Sequence, residues 1–215
     1  MSNLFIFGDS FSAEWETNHS EPHYRPSAQR FYAKKYYEKY NKYPIHFQDI
    51  IKTELNCENI INHSGYGYCN YSIMDSIGKY INDIKENDIV VIGWSNIARW
   101  RFVHSKKKDW QIVWPNTEKE KYPHGFHEQS VHRYCSVTMQ ELINWQNILS
   151  KSLPKNTLFW SPWIYDGNED FHTLSDSNKP ELIRESDIKK IDDYHYSENG
   201  MKTIGNWLVK LIKNE

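Results

Sequence analysis

Short apolar runs that end in small or polar residues alternate along the chain with stretches of helical apolar spacing. The runs at residues 4–7, 60–61, 88–93 and 158–160 are the candidates for β-strands. Their side chains do not alternate between apolar and polar, which is typical of parallel strands that are buried on both faces of a sheet. The pattern therefore predicts a sheet whose strands are separated by helical connections.

Apolar residues recur every three or four positions between these runs, as on one face of an α-helix. Three sets predict crossover helices, and a fourth predicts a final helix over 198–212 that covers the sheet edge. The sets are Phe47, Ile50, Ile51 and Leu55; Ile73, Ile77, Ile81 and Ile84; Leu142, Trp145, Ile148 and Leu149; and Met201, Ile204, Leu208, Val209 and Ile212. Strands and helices that alternate in this way predict a doubly wound, three-layer α/β/α sandwich.

Two segments, at about residues 12–44 and 102–133, do not follow the alternation and are predicted to be insertions made of loops or short added helices. The first insertion would leave the sheet after the first strand and the second after the third strand, at the edge where open α/β sheets bind ligands. A length of 215 residues without an internal repeat or linker favours one domain over 1–215.

The charge balance excludes several classes of partner. Lys and Arg total 26 against 28 Asp and Glu, so the basic footprint of a nucleic-acid-binding protein is missing. No apolar run approaches the roughly 20 residues of a membrane helix, so no membrane partner is expected. The first eight residues lack the features of a secretory signal, which predicts a cytoplasmic protein. Cys57, Cys69 and Cys135 form an odd set that favours reduced thiols over a disulfide framework.

No cofactor or metal is expected from the sequence. A glycine-rich phosphate-binding loop is missing, which removes support for nucleotide or flavin binding. Four histidines crowd the second insertion, but their spacing matches no zinc pattern and favours exposed loop positions. They are His104, His124, His127 and His132.

The candidate chemistry lies at two distant points of the chain. Ser10 follows the first predicted strand two residues after Gly8, which would let the backbone turn closely. A serine nucleophile needs a base within hydrogen-bond reach and a carboxylate that orients this base. His195 and Asp192, just before the final helix, could supply both. The alternatives are an ordinary turn at Ser10 and a helix cap near residue 197.

Residues 7–12, 62–67 and 192–195 resemble signature blocks of the SGNH or GDSL hydrolases, a family of serine esterases. They occur along the chain in the same order as in that family. The resemblance spans nearly the whole chain and implies a mostly parallel, flavodoxin-like sheet. It further implies that Ser10 is the nucleophile and that its amide is the first donor of an oxyanion hole. The Gly67 amide would be the second donor, with Gly65 as the fallback.

The final block implies that Asp192, three residues before His195, orients the histidine, whereas Asp193 faces solvent or caps the helix. The third block departs from the family pattern. Residues 93–96 read Gly-Trp-Ser-Asn, where the family has Gly-x-Asn-Asp. Either Asn96 reaches the oxyanion through a shift of one residue, or the Ser95 hydroxyl replaces it; we favour Asn96.

The resemblance implies a metal-independent serine esterase that acts through an acyl-enzyme on small acyl esters. We expect O-acetyl groups, with a small molecule or a carbohydrate as the alcohol. Two alternatives stay open, since a fold does not fix a function: a non-catalytic carbohydrate-binding protein on the same fold, and a structural protein of a virus particle.

Two further features near the predicted active edge have two interpretations each. Arg99 could hold a substrate carboxylate or phosphate, or it could form a structural ion pair, which we favour. Trp94 and Trp163 lie beside predicted strand ends, where an aromatic ring could line a substrate cleft or simply belong to the core.

Overall fold

The computed structural model describes most of the chain. The described residues are 2–15, 28–97, 99–103, 110–113, 137–162, 172–173, 180, 182 and 195–214.

The described strands form a parallel sheet of five strands and a separate antiparallel pair. The strands are β1 (Leu4–Gly8), β2 (Ile60–Asn62), β3 (Ile89–Gly93), β4 (Trp100–Val103), β5 (Trp110–Val113), β6 (Thr157–Ser161) and β7 (His172–Thr173). The five-stranded sheet has the order β2-β1-β3-β6-β7, and every neighbouring pair in it is parallel. This is the flavodoxin-like order that the resemblance implies.

The described residues contain five α-helices, which follow the predicted alternation and extend it. They are α1 (Ala28–Tyr40), α2 (Phe47–Glu54), α3 (Asn70–Tyr80), α4 (Met139–Ser152) and α5 (Glu198–Lys213). Side-chain caps fix the starts of two of them. The Thr138 hydroxyl accepts a hydrogen bond from Glu141 N at 3.2 Å before α4, and Ser197 Oγ accepts one from Gly200 N at 3.2 Å before α5.

Side chains of the central strands alternate between two apolar clusters, one on each face of the sheet. Leu4 and Ile6 of β1 face a cluster that includes residues of α2 and α5. Phe5 and Phe7 face a second cluster, with residues of α3 and α4. The sheet is therefore covered on both sides, which confirms the three-layer α/β/α fold.

The structure differs from the sequence prediction in several elements. The first insertion contains a helix of 13 residues, α1, and the second insertion overlaps the antiparallel pair β4–β5. Neither this pair nor β7 was predicted. Ile148, assigned to the buried stripe of α4, is 59% exposed. It lies one residue, or about 100° around the helix axis, from the buried Leu149, so the prediction for Ile148 was wrong.

None of the helices that the structure describes has both the length and the apolar character that a bilayer crossing requires. Cys57 and Cys69 are free and buried, whereas Cys135 lies outside the described residues.

Candidate active site

The candidate site lies where the strand order of the sheet changes direction. The chain adds β2 on one side of β1 and then β3 on the other side, and the carboxyl ends of β1 and β3 meet at Gly8 and Gly93. Ligands of open α/β sheets bind at such a switch point. A Cβ atom would lie 2.4 Å from Ser12 Oγ at Gly8 and 2.5 Å from the same oxygen at Gly93. Both positions therefore need glycine for the backbone to approach Ser12.

Ser10 lies in a hydrogen-bonded turn directly after β1. Ser12 N and Ala13 N each donate to the Asp9 carbonyl at 3.0 Å, and Phe11 N donates to Asp9 Oδ1 at 3.0 Å. Ser10 is 7% exposed. The backbone bonds and the Asp9 side chain together fix Ser10 at the carboxyl edge of the sheet, as the sequence predicted.

The structure places His195 beside this turn. Its imidazole, 9% exposed, stacks on the Phe11 ring with the centroids 4.8 Å apart and the planes at 20°. The neighbouring Tyr196 ring also lies on Phe11, at 5.3 Å. The two distant segments of the predicted site therefore meet.

The first insertion supports the segment that follows His195. The Tyr32 hydroxyl, on α1, accepts a hydrogen bond from Glu198 N at 3.0 Å in the first turn of α5. The Glu198 carboxylate pairs with Lys202 at 2.9 Å. Asp192 and Asp193, the candidates for the orienting carboxylate, lie outside the described residues.

A buried ion pair lies beneath the Ser10 turn. Arg99 Nη1 is 3.1 Å from Asp9 Oδ2, and both side chains are 1% exposed. Burial raises the pKa of Asp9 above its usual range, and the Arg99 guanidinium opposes that rise by favouring the carboxylate. The same Nη1 donates to the Tyr68 carbonyl at 2.8 Å. Of the two interpretations of Arg99, the structure therefore shows the ion pair.

The loop after β2 contains a tight turn over residues 65–68, in which Tyr68 N donates to the Gly65 carbonyl at 3.2 Å. Gly67 has a φ of +75°, the left-handed region that favours glycine, and a Cβ there would find nothing within 4 Å. Gly65 N donates to the Gly8 carbonyl at 3.1 Å. Because that bond already uses the Gly65 amide, Gly67 is the better candidate for a donor in this loop.

Asn62, at the end of β2, ties three segments together. Its Nδ2 donates to the Ser12 carbonyl at 2.8 Å and to Gln48 Oε1 at 2.7 Å, and its Oδ1 accepts from Ser64 N at 2.8 Å. Sequence analysis used Asn62 only as the first residue of a motif and did not predict these contacts.

The loop after β3 is held by a side chain that sequence analysis missed. Asn70, fully buried at the start of α3, donates from Nδ2 to the Ser95 carbonyl at 3.0 Å and accepts from Ser95 N at 2.8 Å. Ser95 is fully buried, whereas Asn96 is half-buried. An asparagine in the first turn of a helix is common, so nothing in the sequence marked Asn70.

The aromatic and histidine candidates have separate outcomes. Trp94 is fully buried and stacks on Phe159 with the centroids 6.2 Å apart, so it belongs to the core. Trp163 lies outside the described residues, as do the four histidines of the second insertion. Within the part of the chain that the structure describes, no group of three or more His, Cys, Asp or Glu side chains could hold a metal ion.

The chain is similar to proteins of known structure but matches none by sequence. No family model matches the chain, and no curated protein matches its sequence. Among solved structures, the chain is similar to a lipase/acylhydrolase from Enterococcus faecalis. The superposition covers 100% of this chain and 96% of that chain, with 13% sequence identity and a TM-score of 0.49.

Proposed function

We propose that this chain is a serine esterase of the SGNH type, with Ser10 as nucleophile, His195 as base and Asp192 as the orienting carboxylate. The stacking of the His195 imidazole on Phe11, the residue after Ser10, carries the proposal. It brings the one histidine of the terminal motif to the serine turn at the switch point of the sheet, where such folds bind ligands.

The proposed reaction has two halves. His195 takes the proton of Ser10, and Oγ attacks the carbonyl carbon of the ester; the alcohol then leaves with the proton that His195 returns to it. Water, which gives its proton to His195, then attacks the acyl-enzyme, and the acid leaves as Ser10 regains its proton. Negative charge develops on the carbonyl oxygen in both halves, so fixed hydrogen-bond donors near that oxygen lower both barriers.

Three donors are proposed for this oxyanion: the amides of Ser10 and Gly67 and the side chain of Asn96. Burial supports Asn96 over Ser95 as the third donor, because the Ser95 side chain is fully enclosed. The half-buried Asn96 begins a turn in which Arg99 N donates to its carbonyl at 3.0 Å.

The proposed substrates are esters of small acyl groups, with O-acetyl groups on carbohydrate as the first choice. Support comes from the polar groups near the serine turn. The Tyr66 ring is 37% exposed, and its hydroxyl donates to the Glu14 carbonyl at 2.7 Å. Asn96 is also partly accessible. A polar, aromatic surface suits a sugar better than a long alkyl chain.

The test is covalent labelling with a fluorophosphonate, together with hydrolysis of p-nitrophenyl acetate and of acetylated sugars. We expect the parent protein to label and turn over, and Ser10→Ala to do neither while it stays folded. Ser152→Ala is the matched control, because Ser152 is exposed at the end of α4, which leads into the amino end of β6 at the opposite edge of the sheet. Labelling should survive in that control.

A folded parent protein that neither labels nor hydrolyses any ester would contradict the proposal. In that case, binding of acetylated sugars without turnover would favour a carbohydrate-binding protein, and a stable large assembly would favour a virion structural role.

The third donor has a test of its own. Loss of one oxyanion donor costs roughly 10² to 10³ in turnover, so Asn96→Ala should reduce kcat by about that factor with little change in KM. Unchanged turnover in Asn96→Ala would remove Asn96 from the site.

A further inference from the structure

The buried Arg99 is connected to a neighbour of each proposed oxyanion donor. Its guanidinium contacts Asp9, which directly precedes Ser10, at 3.1 Å. The same Nη1 donates to the carbonyl of Tyr68, which directly follows Gly67, at 2.8 Å. Its backbone N donates to the Asn96 carbonyl at 3.0 Å. Two distant segments thus meet at the guanidinium of Arg99, and Arg99 itself belongs to the turn that begins at Asn96.

We propose that Arg99 is the positioning residue that sets the three oxyanion donors relative to one another. This inference rests on the proposed function and deepens it. Arg99 is 1% exposed, so it acts on the reaction through Asp9, Tyr68 and Asn96 rather than by contact with substrate.

The physical basis is the rigidity of a shared donor. One guanidinium nitrogen binds both the Asp9 carboxylate and the Tyr68 carbonyl. It therefore helps to fix the distance between the turn after β1, which contains Ser10, and the loop after β2, which contains Gly67. A charge-assisted bond is stronger than a neutral one, and exclusion of water strengthens it further. The planar guanidinium also loses less rotamer freedom per hydrogen bond than an ammonium on a flexible stem does.

The third segment is fixed from two sides. On one side, Arg99 N closes the turn that begins at Asn96. On the other side, the Asn70 side chain binds the backbone N and carbonyl of Ser95, the residue before Asn96. The guanidinium therefore connects a loop that is already rigid to the two other loops. Without it, the bonds from Gly65 N to the Gly8 carbonyl and from Asn62 Nδ2 to the Ser12 carbonyl would remain. The link between Asp9 and Tyr68, which lie next to Ser10 and Gly67, would be lost.

The first measurement is steady-state kinetics of Arg99→Met and Arg99→Lys. A misplacement of about 1 Å can cost roughly 10² in rate, so we expect kcat of Arg99→Met to fall by about 10- to 100-fold with KM within about threefold. Arg99→Lys retains a cation that can bind Asp9 and should recover part of that loss. Lys213→Met is the matched control, because Lys213 pairs with Glu54 on the surface at 3.6 Å; its kcat should equal that of the parent.

Arg99→Met leaves the Asp9 carboxylate buried without its cation, which can prevent folding. The double variant Asp9→Asn/Arg99→Met removes both charges and keeps a hydrogen-bonding side chain at position 9. Circular dichroism should show this variant folded, and its kcat should be reduced as in Arg99→Met.

A double-mutant cycle separates positioning from a general structural effect. Asn96→Ala is made in the parent and in the Asp9→Asn/Arg99→Met background. If Arg99 places the donors, Asn96 contributes less once Arg99 is gone, so the second loss of kcat is at least about threefold smaller than the first. Equal losses in the two backgrounds would contradict the positioning role.

Two other results would overturn the inference, and they differ. A folded Arg99→Met or double variant with kcat within about twofold of the parent, while Ser10→Ala is inactive, refutes the role of Arg99 and leaves the esterase proposal standing. Full ester hydrolysis by Ser10→Ala refutes the esterase proposal and the inference together.

Discussion

His46 is a titratable side chain that lies in the core and has no part in the proposed chemistry. It is 1% exposed, with its ring 4.6 Å from that of Phe47 and 5.6 Å from that of Trp15. Burial lowers its pKa to about 3, because an imidazolium would lose its hydration there. Its backbone N, which donates to the Asp49 carboxylate at 2.9 Å, anchors the start of α2.

The lowered pKa of His46 predicts a loss of stability in acid. In the unfolded chain His46 binds a proton below about pH 6.5, whereas in the folded chain it stays neutral down to about pH 3. The free energy of unfolding therefore falls as the pH falls through that range. Between pH 7 and pH 5 the parent should lose about 2 kcal/mol more than His46→Phe, which cannot titrate. Urea unfolding of both proteins at the two pH values measures the difference; parallel losses would contradict it.

At the same scale, residues with a chemical motif could be predicted and residues that only hold the backbone could not. Ser10 and His195 were proposed as site residues because a serine after a strand and a histidine before a helix follow a recognisable pattern. Asn62 and Asn70 were not, because an amide that binds the backbone of a distant loop leaves no periodic trace in the sequence. Arg99 lies between these cases: its charge marked it, but its partner Asp9 could be identified only in the structure.

At the scale of elements, the sequence predicted what is buried on both faces or along one helical stripe. The strands β1 and β3 are continuous apolar runs, and both are completely buried. The helix α1 escaped prediction because its large apolar side chains are aromatic rather than aliphatic; Ala33 is fully buried, and Tyr40 is 50% exposed. The rings of Tyr32, Tyr36 and Tyr40 follow one another at centroid distances of 5.9 and 4.6 Å. The strands β4, β5 and β7 contain polar residues and lack the continuous apolar run that marks β1 and β3.

Asn70 connects two elements, the start of α3 and the loop after β3, so its removal should weaken their junction. Asn70→Ala deletes two buried hydrogen bonds and leaves Ser95 N and O without those partners, which should cost about 2 to 4 kcal/mol of unfolding free energy. Asn144→Ala is the control, because Asn144 only accepts a bond from Gln140 on the exposed face of α4. Urea denaturation of both variants is the measurement. A cost below about 0.5 kcal/mol, the range of ordinary surface changes, would show that the contact is dispensable.

At the scale of the molecule, the same strands supply both apolar clusters. Ile6 faces one cluster and the next residue, Phe7, faces the other. Neither layer of helices can therefore separate from the sheet without exposing side chains on shared strands, which favours joint unfolding of the two layers.

Truncation on either face should give the same kind of result. Ile6→Ala should cost about 2–5 kcal/mol and Phe7→Ala about 3–5 kcal/mol, each with one cooperative transition. Tryptophan fluorescence and far-ultraviolet circular dichroism should report coincident midpoints, and Ile148→Ala, at an exposed position, should change stability by less than about 0.5 kcal/mol. Two separate transitions would mean that the layers unfold independently.

The enclosure of the Asp9–Arg99 pair bears on the salinity that the protein can tolerate. Dissolved ions weaken exposed pairs, and the screening distance shrinks from about 10 Å at 0.1 M to about 3 Å at 1 M salt, but a pair shut away from water is screened much less. The surface pair of Lys213 and Glu54 should lose most of its attraction at high salt. The buried pair of Asp9 and Arg99 should persist, so the Ser10 turn above it should keep its conformation.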